Sequence, residues 1–286
     1  MKITLRCLFV TMLLASFPVS RAAADDQPPY LRDRGPGIRT SMFGSYIQPR
    51  ELLIYTFYEY YKDNNQQYSP DEYGVAGTQD FEGRFRANEG IIFLGYGISD
   101  RLMIEMEAAV ISATFEKDPA DNTATPAKIE ESGLGDVEGQ IAYRWLKEDE
   151  TRPEVFSFLE VVGPHDKEKV LIGTSDWELK FGSGVSRGFQ FGTLSARAAV
   201  EYIRASETPW DFGEWGLEYL RRVNPDWRVY FGFEGQGTDE LSAIGEIQRR
   251  LGSNATLKVG TGIGVTSNTT DFAPELGIMF SLPTGR

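Results

Sequence analysis

The one histidine of the chain, His165, stands in the polar stretch "GPHDKEK". A serine hydrolase would need it as general base, oriented by an acid. The sequence shows no such orienting shell, and His165 reads as an exposed loop residue. A second constellation is Glu105 with Glu107. Two residues apart on a strand, these carboxylates project to one face, roughly 7 Å apart, between the spacings of the two glycosidase mechanisms. The same spacing recurs in Asp136/Glu138 and Asp176/Glu178. A repeated acid pair reads better as the lining of a polar surface, balanced by Arg84, Arg86, Arg144, Lys180 and Arg197, than as one catalytic dyad.

Other chemistries find less support. "GTGIG" at 260–264 looks like a phosphate loop, but its glycines alternate along a strand and no helix follows to cradle a phosphate. Glycine there leaves room inside a closed sheet. The single cysteine, Cys7, lies in an N-terminal segment with the marks of a signal peptide: Lys2 and Arg6, an apolar run from Leu8 to Val19, then Ala22-Ala23-Ala24. Cleavage after Ala24 removes three basic residues and no acid, taking the formal charge from −13 to −16. A chain so acidic is not expected to bind nucleic acid through its phosphates. No metal site and no cofactor are expected.

The elements that carry these residues are strands. From Glu51 onward, segments of alternating polarity recur at 51–61, 80–96, 101–114, 134–146, 154–163, 174–187, 193–204, 212–223, 227–237, 241–251, 256–266 and 272–282. Most approach the ~9–11 residues that cross a bilayer when tilted. The longest connections, at 62–79, 115–133 and 164–173, all fall on one side. Long loops on one side and short turns on the other are the pattern of transmembrane barrels. The expected fold is all-β: an antiparallel up-and-down transmembrane β-barrel of about twelve strands, after a cleaved signal peptide.

In such a barrel Val137, Ile141 and Trp145 face lipid and Asp136, Glu138, Gln140 and Arg144 face the lumen. The same logic places Glu105, Glu107, Asp176, Glu178, Lys180, Arg197 and Glu201 inside, with Glu59, Glu82, Arg84, Arg86, Glu218, Arg222, Arg228, Glu234, Glu246, Arg250 and Lys258. The lining is acidic on balance, which favours cations. Trp145 and Trp227 abut short turns; Trp177, Tyr202 and Trp215 lie near long loops, giving two aromatic girdles. Residues 25–50, rich in Pro and Gly, form an irregular arm. Its Arg32, Arg34 and Arg39 could enter the lumen and pair with carboxylates, making the arm a plug. A twelve-stranded barrel is narrower than the 16–18-stranded porins, so side chains and the arm could fill it.

The segments "GLGDVEGQIAYRWL", "GTSDWELKFGSGVSRGF" and "APELGIMFSL" resemble the outer-membrane channels grouped with the meta-pathway phenol-degradation (MetA-like) proteins. The similarity spans residues 50–282 and rests on Gly133, Leu134, Gly135, Asp136 and the strand and turn from Trp177 to Gly188. It implies a barrel in the outer membrane of a Gram-negative bacterium and passage of small hydrophobic or aromatic compounds. It carries no functional residues across. Two departures are the 25–50 arm and the ending "FSLPTGR", where many such barrels end on an aromatic; Phe280 could serve in its place.

The division expected is therefore a signal peptide at 1–24, an arm at 25–50 and a barrel at 51–286. The barrel would contact outer-membrane lipid and pass small solutes. An outer-membrane enzyme acting on lipids and a soluble secreted β-sandwich are the alternatives.

Overall fold

The computed structural model describes residues 27–164, 169–174, 176–204 and 209–285. The signal segment at 1–24 and His165 lie outside them. Twelve long strands follow one another: Glu51–Tyr68 (β3), Phe81–Gly97 (β4), Leu102–Glu116 (β5), Lys128–Leu146 (β6), Glu154–Gly163 (β7), Glu178–Phe189 (β8), Gly192–Ile203 (β9), Trp210–Asn224 (β10), Trp227–Gln236 (β11), Ser242–Arg250 (β12), Ala255–Gly264 (β13) and Phe272–Pro283 (β14). They are preceded by the two-residue strands Ile38–Arg39 (β1) and Tyr46–Ile47 (β2), which pair only with each other. Each long strand is antiparallel to the next. β14 returns to β3, from Phe272↔Lys62 to Pro283↔Glu51, and closes the barrel. Closure leaves no strand edge unpaired.

The expected architecture holds, with three differences at the long-loop end. β3 runs on through "DNNQQY" to Tyr68, and β6 begins at Lys128, so parts of the expected loops are strand. β8 begins at Glu178, which leaves Asp176 in the preceding loop. On β4, Glu82, Arg84 and Arg86 point outward and are exposed, while Phe85 and Ala87 point in. The physical reason is shared. Beyond the apolar belt, water lies outside the wall, so the polar row turns out and the alternation inverts its meaning. Arg84 there pairs with Glu116 across the surface at 3.6 Å.

Elsewhere the rows face as expected. On β6, Ile141 is 52% exposed on the outside and Gln140, its neighbour, 7% exposed inside. Met106, Leu159, Phe181, Val200, Leu217, Phe231, Ile247, Val259 and Leu276 continue the outward apolar belt around the barrel. Aromatics flank it at both ends. Trp145 packs edge-on to Tyr143 and Arg249 lies over Trp227 at the short-turn end; Tyr202 and Trp210 pack together at the other.

The interior is less polar than the alternation implies. Near the short turns, Leu53, Tyr55, Phe57, Ile91, Phe93, Met103, Phe156, Phe158 and Met279 point inward. They form one core with Ile38 and Ile47 of the small hairpin. The chain enters this core through a sharp corner at Arg50, the sole non-glycine residue at positive φ (59°) among those described. Arg50 N–H donates to the Gly97 carbonyl, and its own carbonyl accepts from Thr284.

Candidate functional site

The arm enters the barrel from the short-turn end. Its hairpin rises along the axis and turns over at residues 40–45, where Thr40 N–H donates to the Ser45 carbonyl and Ser45 N–H to that of Met42. Gly44 sits in that tip with φ of 59°. Gln248, Tyr230 and Leu220 of the wall lie 2.8, 3.2 and 3.3 Å from where a Cβ would stand, so one there would force these side chains to shift. Two wall glycines serve the same end. A Cβ on Gly97 or Gly188 would overlap the backbone of Gln48 or Tyr30.

Charge fixes the hairpin across the lumen. Arg39 pairs with Glu218 through both Nε and Nη2. Arg34 lies 2.7 Å from Glu148 and 3.2 Å from Glu154, and stacks over Tyr46. Arg144 shares Glu154 at 3.0 Å and donates to the arm carbonyls of Pro36 and Gly37. All of these charged side chains are buried. Higher up, Ser41 donates through N and Oγ to Glu105, which also accepts from Gln140. Lys258 reaches the Phe43 carbonyl at 2.9 Å while paired with Glu246 at 3.1 Å. Phe43 packs on Tyr230 with ring centroids 5.5 Å apart. A buried pair adds little net stability over an apolar one, but losing one member costs several kcal/mol. The arm is thus held by contacts that are hard to break singly.

This septum leaves a chamber on either side. The outer one, toward the long loops, is a cavity of about 770 Å³. Nine carboxylates line it and, among the described residues, no Lys, Arg or His. Glu234, Glu246 and Glu275 are tied to Arg197, Lys258 and Tyr55. Asp136 accepts from Thr174 N–H. No ion pair among the described residues reaches Glu59, Glu89, Glu107, Glu138 or Glu240. The inner chamber, about 1040 Å³, opens toward the short turns and carries five arginines against two acids. A neck of about 180 Å³ runs beside Met42 and Phe43.

The residues singled out from the sequence divide accordingly. Glu107, Asp136 and Glu138 line the outer chamber. Glu105 and Arg144 hold the arm. Lys180 pairs with Glu160 at 3.0 Å, and Arg197 with Glu214 at 2.8 Å and Glu234 at 2.5 Å. Glu201 accepts from Gln236, and Glu178 lies on the inward row at the outer end of β8. Asp176 does not join them; its carboxylate accepts the N–H of Trp177 in the loop. Arg34 and Arg39 pair with carboxylates, whereas Arg32 is exposed and donates to the Gln190 carbonyl in a turn. Sequence reasoning missed Glu148 and Glu154. They sit in "KEDETRPE", which reads as a solvated turn, and nothing local marks them as partners of an arm more than a hundred residues away.

No protein-family profile matches the chain, and no curated protein matches it by sequence. Solved structures do match. The COG4313 outer membrane channel from Pseudomonas putida F1 superposes with a TM-score of 0.61 at 12% identity, over 86% of this chain and all of that one. The translocator domain of the autotransporter NalP from Neisseria meningitidis gives 0.51 at 9% identity, over 85% and 90%. The KdgM porin in complex with disordered oligogalacturonate gives 0.50 at 8%, over 80% and 99%. The fold is that of an outer-membrane β-barrel. At such identities the likeness reaches the fold alone.

Proposed function

We propose that the protein is an outer-membrane channel for small solutes, held closed by its own N-terminal arm, in a Gram-negative bacterium. The observation that carries this reading is the septum: a hairpin bound across the lumen by Arg34 and Arg39, with open chambers above and below it. The apolar belt between two aromatic girdles meets lipid. The end with the short turns faces the periplasm, and the acidic chamber opens outward. Rings of carboxylates favour cations, so ions that pass the open pore should show a cation preference set by the outer chamber. The resemblance to the phenol-degradation channels supports a small hydrophobic or aromatic solute, and the apolar inner wall from Tyr55 to Met279 gives such a solute a surface to pass along.

The test is conductance in planar bilayers, comparing the mature chain with one lacking residues 27–47. Removal of the arm should join the two chambers and raise the current sharply. Equal currents from both proteins across several salt concentrations would falsify the plugged-channel reading.

A further inference from the structure

The outward polar rows beyond the apolar belt are unevenly balanced. In the upper row, Arg84 of β4 faces Glu116 of β5 at 3.6 Å, and Lys128 of β6 pairs with Glu130. One row lower, Lys62 of β3 and Arg86 of β4 are direct cross-strand partners. Both point outward, because Glu59, Tyr61 and Asp63 on one strand and Phe85 and Ala87 on the other take the lumenal side. Among the described residues no carboxylate lies within ion-pair distance of Lys62 or Arg86. Carboxylates on the flanking strands are committed elsewhere. Glu130, on the same row beyond Thr114, is taken by Lys128, and Asp271 accepts from the backbone and side-chain N–H groups of Asn64. The two cations stand at the edge of the belt. On its other side Lys62 is opposite the exposed Phe272 of β14, which is opposite the exposed Ile263 of β13. Farther down β3, the exposed Tyr58 donates to Asn88.

Like charges set opposite one another on neighbouring strands destabilise a sheet. Water screens such a pair less where hydrocarbon adjoins one side. Position supplies a remedy. Lipid headgroups lie just beyond the hydrocarbon layer, at the level where aromatic girdles end. A Lys or Arg close to an anionic lipid surface is attracted to it. The arginine adds a planar fork that matches phosphate oxygens, and the lysine a compact point charge. Phe272, Ile263 and Leu276 continue downward from the pair as an exposed apolar surface on which acyl chains can lie.

We propose that Lys62 and Arg86 bind a phosphate of a phosphorylated glycolipid in the outer leaflet, with its acyl chains along Phe272, Ile263 and Leu276. The lipid supplies the charge that this part of the wall lacks. The inference rests on the outer-membrane orientation proposed above, with the long loops outward. The site lies on the outside of the wall, so it depends neither on the arm nor on any opening of the lumen.

The experiment uses the full mature chain in non-ionic detergent, titrated with bis-phosphorylated lipid A and followed by native mass spectrometry. Parallel arms use the same lipid stripped of both phosphates, and inorganic phosphate alone. Lipid A should bind saturably, and removing its phosphates should weaken binding by at least about tenfold. Inorganic phosphate at the same concentrations should neither bind nor displace the lipid. The double variant Lys62→Gln/Arg86→Gln should lose affinity for lipid A by at least about tenfold and match the wild type toward the dephosphorylated lipid. Arg249→Gln, over Trp227 at the short-turn end, should bind as wild type does. Absence of saturable binding, equal affinity for the dephosphorylated lipid, displacement by inorganic phosphate, or unchanged affinity in the double variant overturns the site. Should the double variant fail to fold, Arg86→Gln alone decides by the same affinity comparison. Conductance of the arm-deleted chain keeps the two readings apart. A protein that conducts but binds no lipid A loses the site and keeps the channel; one that binds lipid A without conducting does the reverse.

Discussion

The outer and inner chambers are cut from one barrel, yet they solve the problem of interior charge in opposite ways. In the outer chamber carboxylates face one another with little to balance them, and the space between them stays open. Below it, apolar side chains and the arm fill the middle of the barrel, where charge survives mainly as buried pairs, and the inner chamber beneath them carries five arginines against two acids. The difference follows from solvent. Water in the outer chamber screens unpaired charges at modest cost, whereas the packed inner half demands a partner for each charge. The basic patch around Arg228 marks where the inner half opens to water again.

Several substitutions would break this contrast or sharpen it. The largest effect is expected from Arg39→Ala. It leaves Glu218 buried with only Arg197 Nε, 4.0 Å away, as a cationic partner, which should cost about 3 kcal/mol in the docked state, the low end for a broken buried pair, and raise bilayer conductance toward that of the arm deletion. Glu107→Gln in the outer chamber should leave closure intact; comparable currents from the two variants would refute the division. Next is the wall itself. Ile141→Arg should destabilise the barrel by about 2–4 kcal/mol if it meets lipid at the midplane, and the neighbouring Gln140→Arg by much less, read from urea unfolding in lipid vesicles. Gly188→Val, whose side chain would overlap the arm at Tyr30, should loosen the arm and leave barrel stability nearly unchanged. Protease cleavage within 27–37 is the readout.

Smaller changes probe charge alone. In the arm-deleted protein, replacing Glu59, Glu107 and Glu138 together by Gln should move the reversal potential toward zero under a salt gradient. An unchanged potential would mean the outer acids do not set selectivity. The smallest effect belongs to the turn at 147–153. There the Arg152 guanidinium, helped by the N–H groups of Thr151 and Arg152, holds the partly exposed Asp149 carboxyl well below its ordinary range. A depressed value means the contribution to order is present above the ordinary carboxylate pKa of 3.8 and fades as pH falls through the depressed one. Arg152→Ala should shift the Asp149 titration upward in an NMR measurement and do little else.

How much of this could be read beforehand differs between wall and interior. Alternation gave the wall, because on β6 the rows of Val137 and Asp136 meet two different media. It misled on β4, where Arg84 and Arg86 have water on their outer side. The docking of the arm in the lumen was legible only as charge complementarity between Arg34, Arg39 and an acidic lining. Its anchors were not, since a turn acid such as Glu148 looks alike whether it meets solvent or a guanidinium. One clue was present and stronger than it looked. "ELLIYTFYEYY" and "IIFLGY" are apolar on both faces. A strand whose inner row is also apolar must bury that row against something, and here it buries it against Ile38 and Ile47.

The corner at Arg50 bears on how the molecule is made. The pivot of the arm is gripped from both sides, by Gly97 at the end of the second wall strand and by Thr284 just past the last. These partners are nearly two hundred residues apart in the chain, and both are in place only when the seam between β14 and β3 has formed. The hinge of the arm is therefore complete only together with that seam. In the plugged channel proposed above, sealing of the pore would thus depend on the wall being complete at that seam.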